Sequence, residues 1–319
     1  MAARLLELDP ASYASHSLHA ADRDWVETNC YIDVWVEALH ALGLEPLAAL
    51  PFTVAQDFEG DHFTFFKFPP EDLRALFGLA VQELAIFDRL EGHIEEQLKR
   101  GRMVLVEVDA FHLPDTKGTS YGRTHSKTTV AAVEIDIAGR RLGYFHNTAF
   151  HRLEGADFDG VFNHTPDKLF PYCEFVKRES APFTGRALVD RSLALLRSHL
   201  LRRPPDPIAA FRTDFPRHIE ALSSRSMDYF HQYAFNVPRQ LGANFEMLGS
   251  YLHWLMDNGQ KDLAGALSAC QTVSAACKAL QFQLARAVNR KKFGDYDALL
   301  DTLATSYQFA ITPLVSKYA

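Results

Sequence analysis

The 319-residue chain is poor in cysteine, and it has neither a long apolar run nor an excess of basic residues. Its four cysteines form no CxxC pair, which argues against a disulfide scaffold or a zinc cluster and favours a reducing cytoplasm. No uninterrupted apolar run approaches the roughly 20 residues that a membrane-spanning helix needs. The charged N-terminal segment is too short for a signal peptide. We therefore expect a cytoplasmic protein that does not bind a membrane.

The charge balance is mildly acidic, with 33 basic against 40 acidic residues and a net charge of −7. This balance argues against a nucleic-acid binder, and no basic run with interleaved aromatic residues reverses the argument. Hydrophobic residues make up 47% and charged residues 23% of the chain, as in ordinary soluble globular enzymes.

The stretch 27–39 places a cysteine at the start of a predicted helix. Thr28 and Asn29 are residue types that cap helices, and an apolar stripe at helical spacing then runs to the terminating Gly43. The free N–H groups and the helix dipole in a first turn favour a thiolate and can stabilise an oxyanion. We therefore predict that Cys30 is a nucleophile, with its own N–H as the first oxyanion donor and Asn29 or another side chain as the second. A buried cysteine acting as a small hydrophobe is the alternative.

The rest of the N-terminal half contains both strand and helix patterns. Two short strands, 52–55 and 62–68, are predicted around a turn, and a helical region over 70–98 follows, with Gly78 and Gly92 as breaks. Three more strands are predicted at 103–108, 128–135 and 142–147, the first of them central and ending at Asp109. This order predicts an α+β fold with an antiparallel sheet.

Past about Ser180 the strand patterns disappear, and five amphipathic helices are predicted, at 187–201, 208–222, 238–256, 263–288 and 296–307. We therefore predict a catalytic domain over residues 1–180 and a helical domain or cap over 181–319. Cys270 and Cys277 lie seven residues apart on one helical face, which predicts a core or interface position.

A nucleophilic cysteine needs a base, and the base needs a residue that orients it. His125 precedes one predicted strand and Asn147 ends the next, so a hairpin would bring both to one edge of the sheet. The Asn147 oxygen would then hold the imidazole in the tautomer that faces the sulfur. We predict Cys30, His125 and Asn147 as the catalytic residues, with the adjoining His146 as the alternative third member. The other interpretation is a loop histidine and a buried cysteine.

Three further residues are candidates for contacting the substrate. Tyr121 and Arg123 lie in the loop before His125, where they would gate or read the substrate or simply be solvated. Asp109 ends a central strand, where pocket residues gather, although a loop-capping carboxylate is the alternative. No metal site is predicted. One group of histidines and aspartates was considered, but its spacing matches no known metal-binding motif. The group consists of His146, His151, Asp157, Asp159 and His164.

Three of these features together resemble the papain-like fold of C39-type peptidases: the Cys30 helix, the helix–glycine–strand unit that runs into residues 106–114, and His125 before its strand. The likeness covers roughly residues 20–150. It is closer to the N-terminal domain of the butirosin-biosynthesis acyltransferase BtrH, and the whole chain is similar to the DUF1839 family. The resemblance makes Cys30 the nucleophile, His125 the base and Asn147 the orienting residue, where aspartate is usual. C39-type peptidases have a glutamine six residues before the cysteine, where this chain has Asp24, which cannot donate to an oxyanion.

The resemblance implies an acyltransferase that moves an acyl or aminoacyl group from a carrier-protein thioester to a small amine through an acyl-Cys30 intermediate. The acyl donor would be the phosphopantetheine of a partner carrier protein, with no cofactor bound to this chain. A cysteine peptidase, amidase or thioesterase with the same covalent step is the first alternative. A non-catalytic binding protein on the same fold is the second.

Overall fold

The computed structural model describes residues 2–163 and 169–319, and these divide into two compact units. The first unit is built from residues 1–20, 29–46 and 70–182. The second is built from residues 21–28, 47–69 and 183–319. Two segments of the N-terminal half therefore belong to the same unit as the C-terminal helices.

The first unit is organised on an antiparallel sheet. Within the described residues its seven strands are β1 (Ala3–Arg4), β2 (Leu79–Glu83), β3 (Met103–Asp109), β4 (Lys127–Asp136), β5 (Arg141–His146), β6 (Ala149–Glu154) and β7 (Cys173–Arg178). Their order is β2-β7-β3-β4-β5-β6, and β1 pairs with β4. Strand β3 is thus internal, as its continuous apolar run predicts, and every pairing is antiparallel.

Among the described residues, the α-helices of this unit are α1 (Cys30–Ala41), α2 (Pro70–Phe77), α3 (Leu90–Lys99) and α4 (Ala156–Phe162). Strand alternation sends Leu142 and Tyr144 of β5 into a core with α3 and α4. Phe145, the next residue of β5, points to the opposite face of the sheet and contacts the ring of Tyr13. Helix α1 packs on β4, β5 and β6, so the sheet supports the helix that begins with Cys30.

The second unit is helical. It contains α5 (Gly185–Arg202), α6 (Pro207–Ser224), α7 (Met227–Ala234), α8 (Gln240–Asp257), α9 (Ala264–Arg290) and α10 (Asp297–Tyr318), with a π-helical segment, Phe235–Arg239, between α7 and α8. Helix α9 packs against both α8 and α10. Cys270 and Cys277 are buried in α9.

The predictions of an α+β fold, an antiparallel sheet and a helical C-terminal region are confirmed.

Residues 21–28 belong to the helical unit because their side chains and backbone bond to α8 and α9. The Trp25 indole N–H donates to Ser274 Oγ at 3.0 Å, and the Glu246 carboxylate accepts the backbone N–H groups of Asp24 and Trp25. A Cβ atom on Gly242 would lie 2.6 Å from the Trp25 ring. The glycine is therefore what lets the indole pack against α8.

The secondary-structure predictions for residues 52–83 were wrong in three places. Residues Pro51–Ala55 form a 3₁₀ helix, since a proline at the first helical position favours that turn. Residues 62–68 form only an isolated bridge between Phe58 and Phe63, and Phe63, Phe66 and Phe68 pack as core side chains. The helix predicted over 70–98 is interrupted by β2, after Gly78 at φ +66°, where a Cβ would lie 2.4 Å from the Ser180 carbonyl oxygen. Strands β1, β6 and β7 were not predicted.

Candidate active site

Cys30 is the first residue of α1, as its sequence context predicts. Asn29 is the N-cap residue, in extended conformation, and its side-chain oxygen accepts the Ile32 N–H at 3.0 Å. The Asn29 carbonyl accepts the Asp33 N–H. Cys30 is half-buried and lies in the turn where a helix dipole stabilises negative charge. In this arrangement the Asn29 side-chain oxygen caps the helix, so the N–H of Cys30 remains the first choice as an oxyanion donor.

The other three cysteines have surroundings that disfavour a thiolate. Cys173, Cys270 and Cys277 are all buried. Burial, with the nearby charges of Glu107 and Glu174, raises the pKa of Cys173 to about 12. Burial raises the pKa of Cys270 and of Cys277 further. Among the four cysteines, Cys30 is thus the one with solvent access.

His125 is held by Asp109 at the ends of two neighbouring strands. Asp109 closes β3 and pairs in register with Lys127, the first residue of β4, so the loop between them returns to its starting point. The His125 Nδ1 atom lies 2.5 Å from Asp109 Oδ2, and the imidazole stacks on Phe111 with centroids 4.4 Å apart. Because a carboxylate only accepts, Nδ1 carries the proton, and Nε2 of the neutral ring is an acceptor.

Asp109 is itself fixed by backbone donors. Its Oδ1 atom accepts the N–H groups of Phe111 and Ser126 at 3.0 and 3.2 Å. Burial alone would raise the pKa of Asp109, but the hydrogen bonds from His125 and from these two N–H groups outweigh it and lower the pKa. Asp109 therefore stays ionised and orients an imidazole whose side chain is 72% exposed.

A cavity of about 400 Å³ opens beside this pair. Lys127 and Glu107 form an ion pair of 2.6 Å at its wall. The polar side chains that line it are Glu107, Asp109, His112, His125, Ser126, Lys127 and Asn163. Cys30 is not among the described residues lining this cavity. The cavity thus offers charges of both signs around the exposed imidazole.

Asn147 and His146 have different surroundings from His125. Asn147 lies in the tight turn between β5 and β6 at φ +48°, and within the described chain no hydrogen bond joins it to His125. His146 is buried, with Nδ1 2.5 Å from Asp115 Oδ2 and Nε2 2.8 Å from Thr128 Oγ1. The contact that orients His125 is made by Asp109, which the sequence places only among the candidates for substrate contact. The register of β3 and β4, which sets Asp109 opposite Lys127, is the feature that would have identified Asp109 as the partner of His125.

The loop residues before His125 divide into one tethered and one exposed side chain. The Tyr121 hydroxyl donates to Asp157 of α4 at 3.0 Å. Arg123 is exposed, and its backbone N–H donates to the Ser120 carbonyl. Arg123 is therefore the freer of the two to meet a substrate.

A buried charged cluster on α1 was not predicted from the sequence patterns. The His19 imidazole lies between two carboxylates, with Nδ1 2.5 Å from Glu37 and Nε2 3.3 Å from Asp33. The Tyr13 hydroxyl also donates to Glu37. Burial alone would lower the pKa of His19, but hydrogen bonds and attraction from Asp33 and Glu37 raise it to about 9. The cluster ties residues 13–19 to the helix that carries Cys30.

The described residues contain neither a membrane-spanning helix nor a metal-binding cluster. None of its helices is both long and apolar enough to cross a bilayer. Over the same residues, no group of three or more His, Cys, Asp or Glu side chains is placed to hold a metal ion. His164, one of the histidines considered above, lies outside the described residues.

Comparison with known protein families covers most of the chain. A family model described as the DUF1839 N-terminal domain matches residues 14–178. A second, described as the DUF1839 C-terminal domain, matches residues 185–316. No curated protein matches the chain significantly.

Proposed function

The chain belongs to the DUF1839 family, and from its own residues we propose that it is a cysteine-dependent acyltransferase with a papain-like catalytic unit. Cys30 would take an acyl or aminoacyl group from a carrier-protein thioester and pass it to a small amine. The observation that carries the proposal is the placement of Cys30, the one cysteine with solvent access, in the first turn of α1. The choice of a phosphopantetheine thioester as donor follows from the resemblance to the butirosin acyltransferase that we expect from the sequence.

The first half-reaction forms the acyl-enzyme. His125 Nε2 accepts the thiol proton, since Asp109 holds the proton on Nδ1. The Cys30 thiolate attacks the thioester carbonyl, and the Cys30 N–H donates to the oxyanion. When the tetrahedral intermediate collapses, the carbon–sulfur bond to the donor breaks, and the departing thiolate takes the proton back from His125. This step requires the exposed imidazole to reach the Cys30 thiol.

The second half-reaction regenerates the thiol. The amine attacks the acyl-Cys30 carbonyl and loses a proton to His125, an amide is released, and the Cys30 thiolate recovers a proton from the imidazolium. Ionised Asp109 stabilises that imidazolium in both halves. Arg123 and Tyr121, in the loop before His125, are the proposed contacts to the substrate.

The first experiment measures thiol reactivity. Cys30 should react with iodoacetamide faster than the three buried cysteines, because the thiolate is the reactive form and burial disfavours it at the other three. His125→Ala and Asp109→Asn should each slow this labelling, because the base is removed in the first variant and is no longer oriented in the second. Asn147→Ala is the matched comparison: a larger effect there than in Asp109→Asn would make Asn147 the orienting residue. Labelling of Cys30 only after denaturation would contradict the proposal.

The second experiment separates transfer from hydrolysis. Intact-mass spectrometry after incubation with acylated carrier protein should show one acyl adduct on wild-type protein and none on Cys30→Ala. The adduct should persist in buffer and discharge when the right amine is added, because an acyltransferase excludes water from its thioester. Rapid discharge in buffer, unchanged by any amine in a panel, would indicate a thioesterase or peptidase instead.

A non-catalytic binding protein is the second candidate, and one observation favours it. The cavity beside His125 is lined by charges of both signs, and Cys30 is not among its described lining residues. A small zwitterion or dipeptide would find partners there in Glu107 and Lys127. Ligand binding that survives in Cys30→Ala, together with an unreactive Cys30, would favour this candidate.

A further inference from the structure

The helical unit contains a second cavity, next to a buried histidine. The cavity has a volume of about 190 Å³ and is lined by Asp61, Arg217, His218, Ala221, Tyr229 and Tyr233. His218, on α6, is only 6% exposed, and its ring lies among those of Phe58, Phe211 and Tyr233. At about 30 Å³ for each water, the cavity has room for a molecule of roughly the size of benzoate.

The hydrogen bonding of His218 fixes its tautomer. The Tyr233 hydroxyl lies 3.1 Å from His218 Nδ1, and among the described residues it has no other hydrogen-bond partner. A buried tyrosine hydroxyl donates to the acceptor it has, so Nδ1 accepts and Nε2 carries the hydrogen. Burial, with the neighbouring charge of Arg217, lowers the pKa of His218, which agrees with a neutral ring.

The Nε2–H group of His218 has no acceptor. It is buried, and no other described residue offers it a hydrogen bond. Buried polar groups in native proteins almost always have a partner, and an unpaired donor costs free energy. An acceptor brought by a ligand would satisfy it.

The other groups around the cavity define the chemistry of that ligand. Arg217 lines the cavity, and its hydrogen bonds to the Gly60 carbonyl and Asp214 use only part of the guanidinium's five donors. Asp61 is paired with His62 at 2.5 Å. Two N–H donors of Arg217 and His218 therefore combine with the aromatic faces of Tyr229 and Tyr233. We propose that this cavity binds a small carboxylate with an apolar body, one oxygen accepting the His218 Nε2–H and the other facing Arg217. The site is independent of the chemistry at Cys30.

Nitrogen-15 NMR of the full chain labelled at histidine tests the proposal, with acetate, butyrate and benzoate as probes. The His218 signals should show the Nε2–H tautomer and should shift saturably with a probe, most readily with benzoate. The exposed His253 of α8 is the internal control and should not shift. Arg217→Ala should weaken binding roughly tenfold.

Ala221→Leu is the matched variant, because it fills the cavity and leaves every polar group in place. It should remove the response to the probes. Three results would each overturn the proposal: no saturable shift with any probe, equal shifts at His218 and His253, or a full response in folded Ala221→Leu. If Ala221→Leu fails to fold, unweakened binding in Arg217→Ala would overturn it equally.

Discussion

The position of His19 between two carboxylates leads us to expect that the first unit loses stability as the pH rises. The imidazole, fully buried, lies against Glu37 and Asp33 of α1, and Glu37 also accepts the Tyr13 hydroxyl. These contacts raise the pKa of His19 from 6.5 to about 9 although burial opposes the shift. The folded chain therefore holds this proton more tightly than the unfolded chain.

The sign and size of the effect follow from that shift. A raised pKa contributes stability that is fully present below the unfolded value of 6.5 and is lost as the pH rises through about 9. At about 1.4 kcal/mol for each pKa unit, the loss across this window is about 3 kcal/mol. Below pH 6.5, replacing His19 with a neutral residue leaves Asp33 and Glu37 without their cation, and the free energy of unfolding should fall by about 3–5 kcal/mol.

Urea unfolding followed by circular dichroism, from about pH 6 to about pH 9, measures this effect. The difference in unfolding free energy between wild type and His19→Gln should shrink by about 3 kcal/mol across the range. His253→Gln, at an exposed histidine, is the control and should differ from wild type by a constant amount. A constant difference for His19→Gln as well would refute the reasoning that the native cluster holds a proton.

Two further substitutions test packing and buried polar contacts. Gly242→Ala should lower the unfolding free energy by about 1–3 kcal/mol, since the new Cβ meets the Trp25 ring. The control Gly265→Ala in α9, where a Cβ meets nothing, should be neutral or stabilising; equal melting temperatures would contradict the packing argument. Asp115→Asn should cost about 1–3 kcal/mol, because the ionised carboxylate accepts from His146 and the Tyr144 hydroxyl. Burial opposes the shift, but these contacts lower the pKa of Asp115 below its usual 3.8, so the wild-type advantage in urea unfolding should be present above pH 3.8 and should fade as the pH falls below it.

The sequence by itself determined the features that depend on residues close along the chain. The caps and apolar stripe around Cys30 specify α1, and the apolar run of β3 specifies an internal strand, because both patterns are local and periodic. The helices after residue 185 follow from the same periodicity. Strand β2 was missed because its short apolar run does not distinguish helix from strand.

Only the tertiary structure decided which side chains meet. Asp109 and His125 are 16 residues apart and are joined by the β3–β4 register, while local spacing favoured Asn147 for the same role. His19 meets Glu37, and Tyr233 meets His218, through packing that no sequence period encodes. The same holds for residues 21–28, which belong to the helical unit because Trp25 fills the space that Gly242 leaves open. Local periodicity determines whether a segment forms a helix or a strand, whereas long-range packing determines which elements lie next to it. The chemistry of the candidate site depends on those neighbouring elements.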